Sequence, residues 1–172
     1  SHFTLSEFTR SDTAQKNGIE NMPSEAQIKN LECLCALILD PLREAIGHPI
    51  IINSGYRCCR LNSILCGARN SAHIHGLAAD FTFGDNTYLL DWAWCLLKSV
   101  NHPYRQYIDQ CIYYKDHRFI HVGLPKKVDL EINFGWNEGR EWNSGGALRT
   151  PPCLWVPARL AGKGRQRSAK VG

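Results

Sequence analysis

Residues 54–83, SGYRCCRLNSILCGARNSAHIHGLAADFTF, follow a short β-branched segment and precede an apolar helical segment. The stretch contains His73, His75 and Asp80, together with three arginines and three of the eight cysteines of the chain. These residue types are compatible with a metal site, with a disulfide cluster or with a polar part of an ordinary core. The fold and the function of the chain depend on which of the three it is.

His73 and Asp80 are candidate metal ligands. A catalytic zinc ion has three protein ligands, usually with nitrogen or oxygen donors, and one open position. His73 lies in a polar loop, and Asp80 lies in the alternating segment LAADFTF, which predicts a strand. A turn at Gly76, which tolerates positive φ, would let both side chains reach one ion. Taken alone, the pair also fits a solvated histidine and an aspartate paired with an arginine.

His121 is the candidate for a third ligand. It lies between Ile120 and Val122 in the segment RFIHVGL, whose pattern predicts a strand. Apolar neighbours make a solvated role less suitable there, although a hydrogen-bonded core histidine remains an alternative. Two neutral imidazoles and one carboxylate form a chemically sound shell for a single zinc ion.

The cysteines favour a different role. No C-x-x-C pair occurs in the chain, which disfavours a zinc finger or a thioredoxin-type redox motif. The polar N-terminus, SHFTLSEFTRSD, lacks the apolar segment of a secretory signal. The eight cysteines are therefore interpreted as reduced thiols that act as small apolar residues, with a disulfide framework as the alternative if the protein is exported.

Composition predicts one soluble domain over residues 1–157 and a basic tail over residues 158–172. The tail carries five basic and no acidic residues, so the net charge of +4 leaves −1 for residues 1–157. A nearly neutral domain gives no reason to expect a nucleic-acid partner, and no apolar run is long enough to cross a membrane. The tail is interpreted as a solvated, flexible end, with weak attraction to anionic polymers as the alternative.

The order of predicted elements indicates an α+β fold with a small, mostly antiparallel sheet flanked by helices. Ser24 and Gln27 form a capping-box pattern before an amphipathic helix, which Pro41 is expected to bend or break. The other predicted elements are a strand at PIIIN, one or two helical turns at CCRLNSIL, a strand at LAADFTF, a helix over residues 87–100, and a hairpin formed by DQCIYY and RFIHVGL.

Several segments, in this order, resemble the zinc D-Ala-D-Ala carboxypeptidase family of metallopeptidases. They are SGYR (54–57), LN (61–62), CGARNSAHIHGLAAD (66–80), DQ (109–110) and FIHVGL (119–124), and the opening FTLSEFTRSDTA (3–14) is also similar. Within the family, the chain most resembles the small single-domain members of phage and prophage genomes. The resemblance implies the hedgehog/D-Ala-D-Ala-peptidase-like fold.

The resemblance also implies roles for individual residues. It gives His73, Asp80 and His121 as ligands of one zinc ion, while His75 matches no ligand position and is interpreted as a neighbour. Arg57 is expected near the zinc as a catalytic and substrate-binding cation, since a guanidinium suits a carboxylate or an oxyanion. A structural ion pair is the alternative. Tyr56 and Ser71 are further candidate substrate-binding residues, and Ser71 could equally hold its loop.

The implied reaction is metal-assisted amide hydrolysis, in which a general base accepts a proton from water. In the family this base is a Glu or His shortly before the last ligand, but Arg118 stands three positions before His121. His117 and Asp116 are the available candidates, and His117 is preferred because the unperturbed pKa of histidine is near neutrality. The missing glutamate is the main departure from the family pattern.

The resemblance implies a zinc peptidase that acts as a monomer on a peptidoglycan stem peptide, either at a D-Ala-D-Ala bond or at an internal bond. We expect it to remain in the cytoplasm or to be phage-encoded and released to the cell wall. The alternative is a non-catalytic, zinc-stabilised cell-wall-binding or phage structural module. That alternative is based on the missing glutamate and on Trp136, Trp142 and Trp155, which could form a binding surface or belong to the core.

Overall fold

The structure, a computed structural model, describes residues 1–100 and 105–126 and is an α+β fold. The described chain has six α-helices and four strands, in this order: α1 (Leu5–Thr9), α2 (Asp12–Lys16), α3 (Glu25–Leu34), α4 (Asp40–Ile46), β1 (Ile51–Ser54), α5 (Cys59–Ile64), β2 (Ala78–Thr82), α6 (Thr87–Lys98), β3 (Gln110–Tyr114) and β4 (Phe119–Gly123). The α+β class and the antiparallel sheet predicted from the sequence are confirmed.

The four strands form one antiparallel sheet in the order β1-β2-β4-β3. Residues paired directly across antiparallel strands lie on the same face. The register pairs Asp80 with both Ser54 and His121, so these three residues share one face. Phe81 pairs with Ile52 and Ile120 on the opposite face. One face of the sheet therefore carries polar groups and the other carries core residues.

The core lies between the second face of the sheet and the long helices. Phe81 and Ile120 are fully buried, and they belong to one cluster with Leu34 of α3 and Leu90 and Leu97 of α6. Helix α6 begins where the sequence predicts, because the side chain of Asn86 accepts a hydrogen bond from the backbone N–H of Leu89. This core supports the strands that carry Asp80 and His121.

Pro41 does not end the helix that contains it. Helix α3 continues through a π-helical segment, Cys35–Leu39, directly into α4, which ends at Gly47 in the left-handed conformation. A proline lacks a backbone N–H and its ring crowds the carbonyl group of residue i−4. A wider hydrogen-bond pattern before Pro41 relieves that conflict. Of the predicted bend or break, the break is therefore absent, and the hydrogen-bond register of the helix changes before Pro41 instead.

Two short helices at the N-terminus were not predicted from the sequence. Thr4 and Glu7 form a capping box at α1, in which the backbone N–H of Thr4 donates to Oε2 of Glu7 at 2.7 Å. Helix α1 buries Phe8, and the backbone N–H of Tyr56 donates to the Phe8 carbonyl at 2.8 Å. The N-terminal segment therefore packs against the SGYR segment.

The predicted hairpin is present, with β3 and β4 joined by a 3₁₀ turn, Lys115–His117. Within the described residues, no helix is both long and apolar enough to cross a membrane. Residues 127–172, which include Trp136, Trp142, Trp155 and the basic tail, lie outside the described residues. The single-domain boundary at residue 157 stays a prediction.

Candidate metal centre

His73 is held in a buried turn beside the sheet. It belongs to a 3₁₀ turn, Ala72–His75, which ends at Gly76 with φ of 68°. A Cβ at Gly76 would lie 2.5 Å from the backbone oxygen of Gln27. The turn expected at Gly76 therefore exists, and both its left-handed backbone and its contact with α3 require glycine. The turn leaves the His73 side chain 3% exposed.

The ring of His73 has a defined orientation. Its Nδ1 lies 2.6 Å from the carbonyl oxygen of Gly55 in the SGYR segment. A carbonyl oxygen only accepts hydrogen bonds, so Nδ1 carries a proton and donates it. In the neutral ring, Nε2 then has a free lone pair, and it lies 3.3 Å from Oδ1 of Asp80.

His121 reaches the same oxygen from the neighbouring strand. Its Nδ1 lies 2.7 Å from Oδ1 of Asp80, and its Nε2 lies 3.3 Å from Oε1 of Gln110. Both partners are acceptors, so either ring nitrogen of His121 can carry the proton in the absence of a metal ion. With the proton on Nε2, where Gln110 accepts it, the lone pair on Nδ1 faces Asp80, which is the tautomer that a metal ligand requires.

These contacts create a cluster that requires positive charge. One ligand atom from each of His73, Asp80 and His121 lies within 4.8 Å of the others, and the three side chains are largely shielded, at 4%, 11% and 12% exposure. Two imidazole lone pairs and a carboxylate oxygen repel one another unless a proton or a metal ion lies between them. Nitrogen and oxygen donors of this kind suit zinc, and three protein ligands leave one position open. The donor set therefore fits a catalytic zinc site.

Arg57 holds the other oxygen of Asp80. Its Nη2 donates to Oδ2 of Asp80 at 2.6 Å, and its Nε donates to Oγ of Ser54 at 2.8 Å. Both side chains are largely shielded, at 16% exposure for Arg57 and 11% for Asp80. The functional role expected for Arg57 and the alternative of an ion pair are thus compatible, since the pair adjoins the metal-ligand cluster directly.

The pKa of Asp80 is well below its usual range. Burial alone would raise it, but each ring, when it carries a second proton, donates a hydrogen bond to this carboxylate and bears a positive charge, and these effects outweigh burial. The Asp80 side chain is therefore ionised at neutral pH, as a metal ligand must be.

The structure does not bring His117 and Asp116 to this cluster. Both are exposed and lie in the turn of the hairpin, where His117 packs near Phe119 at 6.3 Å between ring centroids. Arg118, Phe119 and Ile120 stand between that turn and His121, and the last two alone amount to roughly 7 Å of strand. A general base must reach the reacting water within hydrogen-bond distance or through one further water. The role given to these two residues stays a prediction, and the described geometry does not support it.

The remaining candidate residues, Tyr56, Ser71 and His75, lie outside the ligand cluster. Tyr56 is buried, and its carbonyl oxygen accepts a hydrogen bond from Nδ2 of Asn21 at 3.0 Å. Ser71 precedes the histidine turn, and its backbone N–H donates to the Ala68 carbonyl. His75 lies outside the three-residue cluster and is bound through its backbone carbonyl to Asn30. Substrate contact by Tyr56 and Ser71 stays a prediction.

The interpretation of the cysteines agrees with the described part of the chain. The seven cysteines within it are free, and none belongs to the ligand cluster. Cys33 and Cys35 are buried, and desolvation raises the pKa of both thiols. They act as apolar core residues there.

Gln110 and Gly55 are contributors whose roles were not assigned from the sequence. Each supplies the acceptor that orients one imidazole of the cluster. Both belong to segments that carry the family resemblance, DQ and SGYR, so their positions were visible in the sequence. Their task was not visible, because it depends on which ring nitrogen they meet.

A comparison with known families agrees with the geometry. The sequence model of a family described as Peptidase M15 matches residues 1–123. The match includes every residue of the cluster and both residues that orient its imidazoles. No curated protein matches the chain.

Proposed function

Since the chain belongs to the Peptidase M15 family, we propose that it is a zinc-dependent peptidase that hydrolyses peptide bonds in peptidoglycan stem peptides. Family membership supports a metallopeptidase. The bond, D-Ala-D-Ala or internal, and the hedgehog/D-Ala-D-Ala-peptidase-like fold are parts of the proposal. The observation that carries it is the convergence of two imidazole lone pairs on a carboxylate oxygen of Asp80.

His73, Asp80 and His121 would hold the zinc ion. When bound, zinc supplies a Lewis acid that lowers the pKa of water and polarises a peptide carbonyl. The chain itself supplies orientation, since Gly55 and Gln110 aim the two rings and Arg57 holds the second oxygen of Asp80. Oδ1 of Asp80 is thereby directed at the cluster before any ion binds, which reduces the cost of assembling the site.

Arg57 also supplies positive charge beside the cluster. A guanidinium held by two hydrogen bonds keeps a fixed position, so it can stabilise negative charge that develops on a substrate carbonyl without reorganising. Its charge is partly neutralised by Asp80 in the described geometry. If Asp80 also held a zinc ion, less of its negative charge would offset Arg57, and the field of Arg57 would act more fully on the substrate.

Proton transfer requires a base from outside the ligand cluster. Asp80 is the only carboxylate that the described residues bring to the cluster, and its role there is that of a ligand. We retain His117 as the proposed base, with Asp116 as the second choice. A movement of the hairpin turn toward His121 would be required for either residue to act.

The test combines metal analysis with hydrolysis. We expect one zinc ion per chain and release of amines from purified stem peptides. His73→Ala and treatment with a chelator should each abolish both, whereas His48→Ala, which alters an exposed histidine outside the cluster, should abolish neither. Hydrolysis that survives both His73→Ala and the chelator would show that the proposed mechanism is wrong.

A second function is a zinc-stabilised binding module without catalysis. The lack of a described carboxylate beside the cluster, other than Asp80, favours it. This module would bind zinc stoichiometrically and would bind stem peptides, but it would release no amines from them. Release of amines that falls by about 10²–10⁴-fold in His117→Ala, with zinc content unchanged, would eliminate the binding module, because such a loss is expected only of a catalytic base.

A further inference from the structure

A cleft of about 610 Å³ lies beside the ligand cluster. The junction of α1 and α2 forms one wall with Arg10 and Asp12, strand β1 and the SGYR segment form another, and Leu61 and Leu65 add apolar surface. This volume is within the range of small-ligand sites, roughly 300–1,000 Å³. No role was predicted from the sequence for the N-terminal residues that line the cleft.

The cleft and the ligand cluster share Arg57. Its side chain lines the cleft and also donates to Oδ2 of Asp80. Ser54, which accepts from Nε of Arg57, lines the cleft and pairs with Asp80 across the sheet. A peptide lying in the cleft would therefore meet the ligand cluster at Arg57.

The charged residues of the cleft differ in whether they already have partners within the protein. Arg57 already donates to Ser54 and Asp80 through two of its nitrogens. Arg10 and Asp12 are exposed, and neither is in any of the ion pairs found among the described residues. The cleft thus offers one cation and one anion to a ligand, next to apolar surface from Leu61 and Leu65.

We propose that this cleft binds a zwitterionic group of the peptide substrate, with Arg10 contacting its carboxylate and Asp12 contacting its ammonium. The inference rests on the proposed function, since it assumes a stem peptide as the ligand. The matching chemical class is a diamino dicarboxylic acid residue, whose side chain ends in both charged groups. A lysine side chain at the same position would satisfy Asp12 alone. Arg10 and Asp12 are then specificity-determining residues.

The experiment measures binding of two tripeptides to the full-length, zinc-loaded protein by calorimetry. The peptides have the sequence L-Ala-γ-D-Glu-X, where X is meso-diaminopimelic acid or L-lysine, and chromatography after each titration verifies that they are intact. We expect the diaminopimelic acid peptide to bind about tenfold more tightly, corresponding to about 1.4 kcal/mol. Arg10→Ala should remove this preference, and Arg10→Lys should restore part of it.

Matched variants distinguish the effect of the cleft residues on peptide affinity from the effect of a changed net charge. Asp12→Asn should lower the affinity for both peptides, since both present an ammonium group. Arg60→Ala and Glu20→Gln alter exposed charges that do not line the cleft, and they should leave both affinities within about twofold. Equal affinity for the two peptides, an unchanged preference in Arg10→Ala, or no binding of either peptide would overturn the inference.

Failure of this inference is distinguishable from failure of the proposed function. If the protein hydrolyses complete stem peptides but Arg10→Ala does not change peptide binding, the proposed role of the cleft is wrong and the proposed peptidase activity stands. If peptide binding depends on Arg10 but no hydrolysis occurs, the proposed peptidase activity is wrong and the cleft belongs to a binding module.

Discussion

Arg57 and Asp80 are joined by a hydrogen bond of 2.6 Å from Nη2 to Oδ2, while both imidazoles of the cluster approach Oδ1 of the same carboxylate. One carboxylate therefore serves an arginine through one oxygen and a prospective metal through the other. This division makes the zinc-free protein dependent on Arg57, because a shielded carboxylate requires a compensating charge.

Arg57→Ala should destabilise the zinc-free protein. Loss of a hydrogen bond to a charged group costs about 1.5–3 kcal/mol in free energy of unfolding. Saturating zinc should reduce this loss, because the ion supplies positive charge to Asp80. Urea unfolding with and without zinc measures both effects, and Arg60→Ala, an exposed control, should change stability by less than about 0.5 kcal/mol. Equal losses in both conditions would contradict the division of Asp80 between Arg57 and the metal.

Zinc should raise the thermal stability of the protein. A ligand that binds only the folded state at 100 times its Kd adds about 2.7 kcal/mol. The stabilisation should vanish in His121→Ala and in Asp80→Asn, and it should persist in His48→Ala. Melting curves at increasing zinc concentration test this directly. A zinc-dependent shift in His121→Ala equal to that of the unaltered protein would remove His121 from the ligand set.

Gln110→Ala should weaken zinc binding by about 10–100-fold, since groups that orient a ligating histidine have effects of this size. Gln110→Glu should retain most of the affinity, because a carboxylate oxygen still accepts from Nε2 of His121. Competition with a chromogenic chelator measures the affinity. Gln15→Ala removes an exposed glutamine on α2 and serves as the control. Unchanged affinity in Gln110→Ala would show that the 3.3 Å contact does not orient the ring.

Gly76→Ala and Gly47→Ala form a matched pair. Both glycines have left-handed backbones, with φ of 68° and 71°, so both substitutions carry the conformational cost of about 1–2 kcal/mol. Only Gly76 also has a backbone oxygen 2.5 Å from the added Cβ, while Gly47 has open space. Gly76→Ala should therefore cost about 1–3 kcal/mol more, as overpacked substitutions do. It should also lower zinc affinity by displacing His73, and similar stability losses for both variants would refute the close contact.

High pH should destabilise the fold through its shielded thiols. Desolvation raises the pKa of Cys111 to about 11 from an ordinary value of 9.0, and burial also raises that of Cys35. Because the folded state holds these protons more tightly, their contribution is complete below pH 9 and is lost as the pH rises toward 11 and beyond. Urea unfolding between pH 8 and 11 should reveal this decline, and Cys111→Ala should make it shallower. An identical slope in the variant would show that Cys111 does not contribute.

Much of the fold was predictable from local sequence. The amphipathic pattern and its capping box located the helix at α3, and alternation located β2 and the hairpin. The same capping rule, applied to Thr4 and Glu7, would have found α1. Of the two outcomes predicted at Pro41, a bend or a break, the break does not occur, since the helix continues through π-helical hydrogen bonding that the local sequence does not reveal.

The sequence by itself determined the residue types that a metal site needs, the glycine of its turn and the absence of a glutamate before His121. Only the tertiary structure decided which atoms meet. The register of β2 and β4 placed His121 opposite Asp80, and Gly55 and Gln110 were brought within hydrogen-bond distance of one nitrogen of each ring. The physical reason is that hydrogen-bond direction and strand register arise from long-range packing, whereas turn and helix signals are local.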